Sequence, residues 1–137
     1  MQPRVVFMGT PEFAVPSLRE LARHLGSAGL LVVTQPDRAA GRGRRLQPPP
    51  VKVNAEELGL DVIQVHTLKD PSVRERLVAH SPDLIVVAAF GRILPAWVLN
   101  LPPRGCVNLH ASLLPRFRGA SPIAAAVACG DDRTGVA

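Results

Sequence analysis

The feature that most constrains the fold is an unbroken apolar run, Leu84–Phe90, which follows the turn Ser81-Pro82-Asp83. A strand in which every side chain is apolar is buried on both faces, and such strands lie at the centre of parallel sheets covered by helices. Shorter apolar runs at Val5–Met8 and Leu30–Thr34 alternate with amphipathic stretches. This alternation is the pattern of repeated β/α units.

The remaining segments extend the same pattern along the chain. We expect a first helix from Glu12 to about Leu25, with Thr10 as its N-cap, Pro11 at its first position and an irregular first turn caused by Pro16. Further strands are predicted at Leu84–Ala88, Asp61–Val65 and Cys106–His110, and further helices at Val51–Leu58, Ser72–Ala79 and Ser121–Ala128. The sequence therefore predicts an α/β fold with a Rossmann-like open, mainly parallel sheet and helices on both faces.

The positive charge of the chain is concentrated in one segment. The 137 residues are enough for one domain and carry a net charge of +5. The segment 35–50 is rich in Pro and Gly, is predicted to be a loop, and holds Arg38, Arg42, Arg44 and Arg45 against Asp37 alone. Such a cluster fits an anionic partner such as nucleic acid and equally fits a solvated loop. Four Phe, one Trp and no Tyr argue against a base-stacking surface.

Several other classes of protein are disfavoured by the sequence. Gly9-Thr-Pro-Glu-Phe13 contains one glycine, whereas a dinucleotide-binding turn needs three. Cys106 and Cys129 have no metal-ligand spacing, and their apolar neighbours predict buried, reduced thiols. The apolar runs are too short for a signal peptide or a membrane span. We therefore expect a soluble, cytoplasmic protein.

A possible reaction centre lies in the predicted strand Cys106–His110. Side chains alternate faces along a strand, so Asn108 and His110 share one face, with Cα atoms roughly 6.6 Å apart. An amide that donates to a developing oxyanion and an imidazole that moves a proton suit acyl transfer. The alternative is that both side chains only satisfy backbone groups at a strand end.

The surrounding residues carry a family resemblance. Asn108-Leu-His110 followed by Ser112-Leu-Leu-Pro-Arg-Phe-Arg-Gly119 resembles the signature of the folate-dependent formyltransferases. Within that family the chain is most similar to the members whose acceptor is methionyl initiator tRNA. The supporting segments are Gly9–Phe13, Gln35–Arg38, Gly41–Arg44, Pro50–Lys52 and Ala89–Pro95. The resemblance covers essentially the whole chain.

The resemblance implies a role for each of these positions. Asn108 and His110 would be catalytic, and 10-formyltetrahydrofolate would be the formyl donor. A folate pocket would be lined by Phe90, Gly91, Ile93, Leu94, Ser112, Leu113, Leu114 and Pro115. The acceptor end of methionyl initiator tRNA would be bound by Arg38, Arg42, Arg44 and Arg45. No metal is implied, and a monomer is expected.

The resemblance also implies that family members contain further functional segments after the region that corresponds to residues 1–137. Residues 1–137 correspond to the N-terminal part of the formyltransferase domain. A catalytic aspartate and a C-terminal β-barrel domain would lie beyond them, so we expect little transfer activity from these residues alone. Two alternatives stay open: a formyltransferase for an amino sugar or another small amine, and a non-catalytic fragment that binds folate or RNA.

Overall fold

The computed structural model describes residues 2–131 and 133–137. The chain divides into two compact units, one ending at Val107 and the other beginning at Asn108. The first unit contains most of the sheet and its helices. The second contains the end of the last strand and the segment that carries the predicted reaction centre.

The predicted parallel sheet is confirmed. Its strand order is β5-β2-β1-β6-β7, and the pairs β1–β2, β1–β6 and β2–β5 are parallel. A two-stranded antiparallel hairpin, β3–β4, stands apart from this sheet. The strands are β1 Val5–Gly9, β2 Leu30–Thr34, β3 Arg38–Ala40, β4 Arg45–Gln47, β5 Asp61–Gln64, β6 Leu84–Ala88 and β7 Cys106–Asn108.

Helices cover both faces of the sheet. The α-helices are α1 Val15–Leu25, α2 Pro50–Glu57, α3 Pro71–His80, α4 Ala96–Asn100 and α5 Pro122–Ala128. One face packs against α3 and α4, in a core that includes Val6, Met8, Leu31, Val33, Val73, Leu77, Ile85, Val87 and Val98. The alternate side chains of β1 and β2 point to the opposite face, where α1 and α2 contact β2. This burial of both faces explains why β1 and β2 are buried throughout.

The entry into α1 differs from the prediction. A 3₁₀ turn at Glu12–Ala14 precedes α1, whose N-cap is Ala14. Pro16 lies in the first turn of α1. Backbone N–H groups in the first turn have no hydrogen-bond partner within the helix, so a proline there removes no helical hydrogen bond. The predicted N-cap role of Thr10 is wrong, because its hydroxyl donates to the carbonyl of Phe90, 2.9 Å away.

The arginine-rich segment is a hairpin rather than a loop. Strands β3 and β4 pair through Arg38↔Gln47, Ala39↔Leu46 and Ala40↔Arg45. The turn between them contains Gly41 and Gly43, both with positive φ. Glycine adopts this left-handed backbone without the steric cost that other residues pay. The arginines are therefore held on a defined strand-and-turn frame.

Two smaller predictions are corrected, and one helix is new. Strand β7 ends at Asn108 rather than His110, and the N–H and C=O of His110 exchange hydrogen bonds with Ala137, at 2.6 and 2.8 Å. Helix α4 was not predicted. Cys129 is exposed and Cys106 is half-buried, where burial raises the pKa of its thiol.

The hydroxyl of Thr34 leads to a stability prediction. Thr34 is fully buried, and its Oγ1 has no hydrogen-bond partner within the part of the chain that the structure describes. Thr34→Val should raise the free energy of unfolding by about 1 kcal/mol, because a buried unsatisfied hydroxyl is replaced by a methyl group. The matched control, Thr10→Val, should lower it by about 1 kcal/mol, since that hydroxyl is bonded. Urea unfolding of both variants checks this, and destabilisation by Thr34→Val would contradict it.

Candidate active site

The sheet has its topological switch point between β1 and β6. From β1 the chain proceeds outward through β2 to β5 and then returns to β6 and β7 on the other side. Open α/β sheets bind ligands at such a point, outside the carboxyl ends of the strands. Gly9 and Ala88 are paired in register at these ends. A Cβ on Gly9 would lie 2.8 Å from the carbonyl oxygen of Ala88, so glycine permits the close approach.

The side chains of the residues that directly follow β1 and β2 meet at one carbonyl beyond β6. The carbonyl of Phe90 accepts hydrogen bonds from Thr10 Oγ1 at 2.9 Å and from Gln35 Nε2 at 2.7 Å. Phe90 is 2% exposed and Gln35 is 5% exposed. Three chain segments that follow three different strands are therefore fixed to each other at the switch point.

The packing of Gln35 against the turn after β6 requires glycine at position 91. Its φ is +86°, and a Cβ at this position would collide with Nε2 of Gln35. A side chain here would have to displace a buried amide that is already hydrogen-bonded. The turn after β6 is consequently specified by both its backbone conformation and its neighbour.

We expect Gly91→Ala to lower the free energy of unfolding by about 2–4 kcal/mol, from left-handed backbone strain and disruption of the Gln35 hydrogen bond. Gly59→Ala is the matched control, since Gly59 has a φ of +70° but open space around its Cβ position. That variant should lose only the backbone part, about 1 kcal/mol. Denaturant unfolding of both variants measures the difference, and equal losses would contradict the role of Gln35.

A cleft of about 380 Å³ opens at this edge of the sheet. Its polar and charged lining comes from Thr10, Gln35, Arg38 and Gln47, and the rest from Pro11, Pro36, Pro49, Pro50, Ala89 and Gly91. Arg38 from the predicted tRNA set and Gly91 from the predicted folate set thus line one cleft. The concave, largely apolar lining with a few polar groups is typical of a small-molecule or nucleotide site.

The base of the hairpin is fixed by a second polar cluster. Gln64 Nε2 donates to Asp37 Oδ1 at 2.6 Å and to the carbonyl of Gln35 at 3.2 Å. Lys52 Nζ lies 3.2 Å from the same Asp37 oxygen. The hydrogen bond from Gln64 and the nearby Lys52 ammonium hold the pKa of Asp37 below its ordinary value. Asp37 is therefore part of the support for the hairpin.

The other predicted residues of the first unit lie on its surface or in its core. Arg42 and Arg44 are exposed in the hairpin turn, and Arg45 is exposed on β4. Ile93 is 94% exposed, whereas Leu94 is half-buried against the core. Ile93 is thus a large apolar side chain available for contact with a ligand.

In the second unit, Asn108 and His110 come from the end of β7 and the residues after it. Asn108 is exposed and His110 is half-buried. The imidazole Nε2 lies 2.5 Å from the carbonyl oxygen of Phe117. Since a carbonyl can only accept, Nε2 carries the proton and Nδ1 is the basic nitrogen of the neutral ring. A backbone carbonyl therefore orients this histidine.

Residues 112–117, which end at the residue whose carbonyl contacts His110, form a tight turn. Ser112 is fully buried and its hydroxyl donates to the carbonyl of Arg116 at 2.7 Å. Arg116 contacts Asp131 at 3.0 Å and lies over the ring of Phe117, 4.7 Å from its centroid. Leu113, Leu114 and Pro115 are exposed. Ser112 thus closes the turn, and the residues after it present apolar surface.

Four important residues were not predicted for a site: Thr10, Gln35, Gln47 and Phe117. Thr10 and Gln35 directly follow buried strands, and this placement of polar residues is the signal that could have identified them. Gln47 depends on the pairing of the hairpin. Phe117 acts through its backbone, and its side-chain type carries no signal for that role.

Comparison with known proteins identifies the class. The sequence matches the Formyl transferase family over residues 3–137, and the chain belongs to this family. Methionyl-tRNA formyltransferase of Methylococcus capsulatus is 60% identical over 133 residues, covering 97% of this chain and 43% of that protein. The enzyme of the same name from Moorella thermoacetica is 58% identical, with 97% of this chain and 42% of that protein covered. The chain thus spans less than half the length of these relatives.

Solved structures agree on the fold. Glycinamide ribonucleotide transformylase 1 from Geobacillus kaustophilus matches with a TM-score of 0.71 and 20% identity, covering 99% of this chain and 72% of that one. A sugar N-formyltransferase from a Shewanella species matches with a TM-score of 0.56 and 20% identity, covering 98% of this chain and 49% of that one. At these identities the likeness supports the Rossmann-like fold alone.

Two further observations concern metals and membranes. Among residues 2–131 and 133–137, no group of three or more His, Cys, Asp or Glu is placed to hold a metal ion. No helix in the described part of the chain has the length and apolar character needed to cross a bilayer.

Proposed function

We propose that this chain forms the N-terminal part of a formyltransferase domain. The enzyme moves the formyl group of 10-formyltetrahydrofolate to the amino group of methionyl initiator tRNA, in the cytoplasm and as a monomer. The observation that carries the proposal is the 60% identity, over 97% of this chain, to a relative named methionyl-tRNA formyltransferase. The placement of an amide and an imidazole two residues apart in one unit supports it chemically.

In the proposed reaction the methionyl amine attacks the formyl carbon. Asn108 donates its amide N–H to the oxygen that becomes negative in the tetrahedral intermediate. His110 accepts the proton of the attacking amine at Nδ1 and delivers it to N10 of the folate as that C–N bond breaks. The products are the formylated methionyl amine and tetrahydrofolate. The hydrogen bond from Nε2 to Phe117 supports this assignment of the basic nitrogen.

Apolar side chains supply the proposed folate contacts. Ile93 in the first unit and Leu113 and Leu114 in the second are about half exposed or more. Phe90 and Gly91 shape the turn after β6, and Ser112 shapes the turn that carries the two leucines. The proposed folate contacts are thus Phe90, Gly91, Ile93 and Leu94 in the first unit, and, separately, Ser112, Leu113, Leu114 and Pro115 in the second.

The cleft and the hairpin supply the proposed acceptor contacts. A guanidinium fork binds phosphate through two parallel hydrogen bonds. Arg38 lines the cleft, and Arg42, Arg44 and Arg45 are exposed on the hairpin beside it. We assign the cleft to the terminal part of the acceptor and the hairpin to the phosphates of the tRNA end.

Formyl transfer by an extended chain tests the proposal. The extended chain consists of residues 1–137 followed by the remaining sequence of the Methylococcus capsulatus relative, because the present residues span 43% of that protein. It should convert methionyl initiator tRNA to the formylated form with 10-formyltetrahydrofolate, and should leave nucleotide-linked amino sugars unreacted. Efficient formylation of an amino sugar without formylation of the tRNA would overturn the proposal.

A further inference from the structure

The side chain of Gln35 connects two surfaces that the proposed function assigns to different substrates. Its Nε2 donates to the carbonyl of Phe90 at 2.7 Å, and its Oε1 accepts from the guanidinium of Arg38. Phe90 begins the turn assigned to folate, and Arg38 is the arginine that lines the cleft. Both bonds require one amide orientation, with nitrogen towards Phe90 and oxygen towards Arg38.

The environment of Gln35 holds that orientation rigidly. The residue is 5% exposed, and the Cβ that Gly91 lacks would occupy the space of Nε2. Its own backbone carbonyl accepts from Gln64 Nε2 at 3.2 Å. A buried, fully oriented amide restricts the rotamers of the long side chain that it binds. Arg38 is an exposed residue of β3, so the bond to Gln35 limits where its guanidinium can lie.

We infer that Gln35 is a positioning residue: it fixes the guanidinium of Arg38 at the cleft and joins the hairpin to the Phe90–Gly91 turn. The inference rests on the proposed function, because it assigns Arg38 to the tRNA acceptor. The chemical ligand of the positioned guanidinium is a phosphate oxygen of the acceptor end. Gln35 itself touches neither reacting group.

A double-mutant cycle in the extended chain tests whether Gln35 acts through Arg38. At saturating folate, Gln35→Met and Arg38→Ala should each raise the KM for methionyl-tRNA about tenfold, which corresponds to 1.4 kcal/mol. The double variant should also show a rise of about tenfold. If Gln35 acts only by positioning the Arg38 guanidinium, then replacing Gln35 has no further effect once that guanidinium has been removed. A rise of about a hundredfold in the double variant, or an unchanged KM in Gln35→Met, would overturn the inference.

Two further variants separate positioning from loss of stability. Val73→Ala weakens the core on α3, and Val73 is not one of the residues that line the cleft, so this variant should leave the KM for tRNA unchanged within about twofold. Gln35→Glu keeps an acceptor for Arg38 but sets a carboxylate oxygen against the Phe90 carbonyl, so it loses the bond that orients the side chain. Its KM for tRNA should therefore rise about tenfold, as in Gln35→Met. A tenfold rise in Val73→Ala, or an unchanged KM in Gln35→Glu, would count against the inference.

A substrate-free measurement distinguishes this inference from the proposed function. Hydrogen exchange on the 137-residue chain should reveal faster exchange of the β3–β4 amides in Gln35→Met but not in Val73→Ala, because only the first variant removes the link from Arg38 through Gln35 to the Phe90 carbonyl. Unchanged exchange in Gln35→Met would refute positioning by Gln35. If the wild-type extended chain does not formylate methionyl-tRNA, the proposed function fails while the exchange result still decides whether Gln35 holds the hairpin.

Discussion

Replacing Asn108 or His110 by alanine in the extended chain should lower kcat by about a hundredfold to a thousandfold. The KM for 10-formyltetrahydrofolate should change by less than about threefold, because these groups act on charge and protons that develop only in the transition state. Steady-state formylation of methionyl-tRNA at varied folate measures both quantities.

The physical reason differs for the two residues. Asn108 is an exposed amide at the end of β7, and in the proposed reaction its loss removes a donor to the oxyanion. His110 is held through Nε2 by the Phe117 carbonyl, and in the proposed reaction its loss removes the base at Nδ1. Residues that act together in one step give non-additive losses. We therefore expect the double variant to be little worse than the more impaired single variant.

The chain offers a matched control for each residue. His66 and Asn100 are exposed residues of the same types, in segments that follow β5 and end α4. His66→Ala and Asn100→Ala should retain kcat within about twofold. Near-normal kcat in Asn108→Ala or His110→Ala would contradict a catalytic role for that residue and would favour a structural role at a strand end.

Replacing Arg42, Arg44 and Arg45 by alanine should weaken tRNA binding and flatten its dependence on salt. Each phosphate contact contributes roughly 0.7–0.9 to the slope of log K against log salt, so three contacts contribute about 2.1–2.7. Between 50 and 200 mM salt, wild-type affinity should therefore fall about 20-fold to 40-fold more than that of the triple variant. Folate affinity should stay unchanged.

The hairpin is expected to bind tRNA at a lower entropic cost than a flexible loop with the same arginines. A loop pays conformational entropy when it becomes ordered on tRNA, whereas the paired strands β3 and β4 already hold the arginines. A control triple variant, Arg19, Arg23 and Arg76 to alanine, removes the same charge from exposed positions on α1 and α3. It should retain most of the salt slope. Equal slopes in the two triple variants would mean that net charge, rather than the hairpin, attracts the tRNA.

The three central strands of the sheet could be predicted from the sequence because they are buried on both faces. Val5–Met8, Leu30–Thr34 and Leu84–Ala88 are short runs of mostly apolar residues, and each was placed within one residue of its observed bounds. The hairpin could not be predicted in this way. Its strands have three residues each, are exposed and contain arginine, so they have neither the apolar alternation nor the length that identifies a strand.

The parts of the site that depend on how the strands pair in the sheet could not be predicted from the sequence either. Thr10 and Gln35 meet at the Phe90 carbonyl only because β1, β2 and β6 are adjacent and in register. The sequence places Thr10 before a helical segment, which favours an N-cap assignment by local rules. The resemblance implied a catalytic aspartate beyond residue 137, and it did not indicate that the carbonyl of Phe117 contacts the His110 ring. Backbone groups carry no residue-type signal.

The most direct test of the proposed chemistry is a crystal structure of the extended chain with a 10-formyltetrahydrofolate analogue that cannot transfer its formyl group. The measured quantities are the distances from the formyl oxygen to Asn108 Nδ2 and from the formyl carbon to His110 Nδ1. We predict a donor distance of about 2.7–3.1 Å for Asn108, with His110 within reach of an amine that approaches the carbon. A well-ordered formyl group more than about 6 Å from both side chains would contradict the account, because neither residue could then contact the reacting atoms.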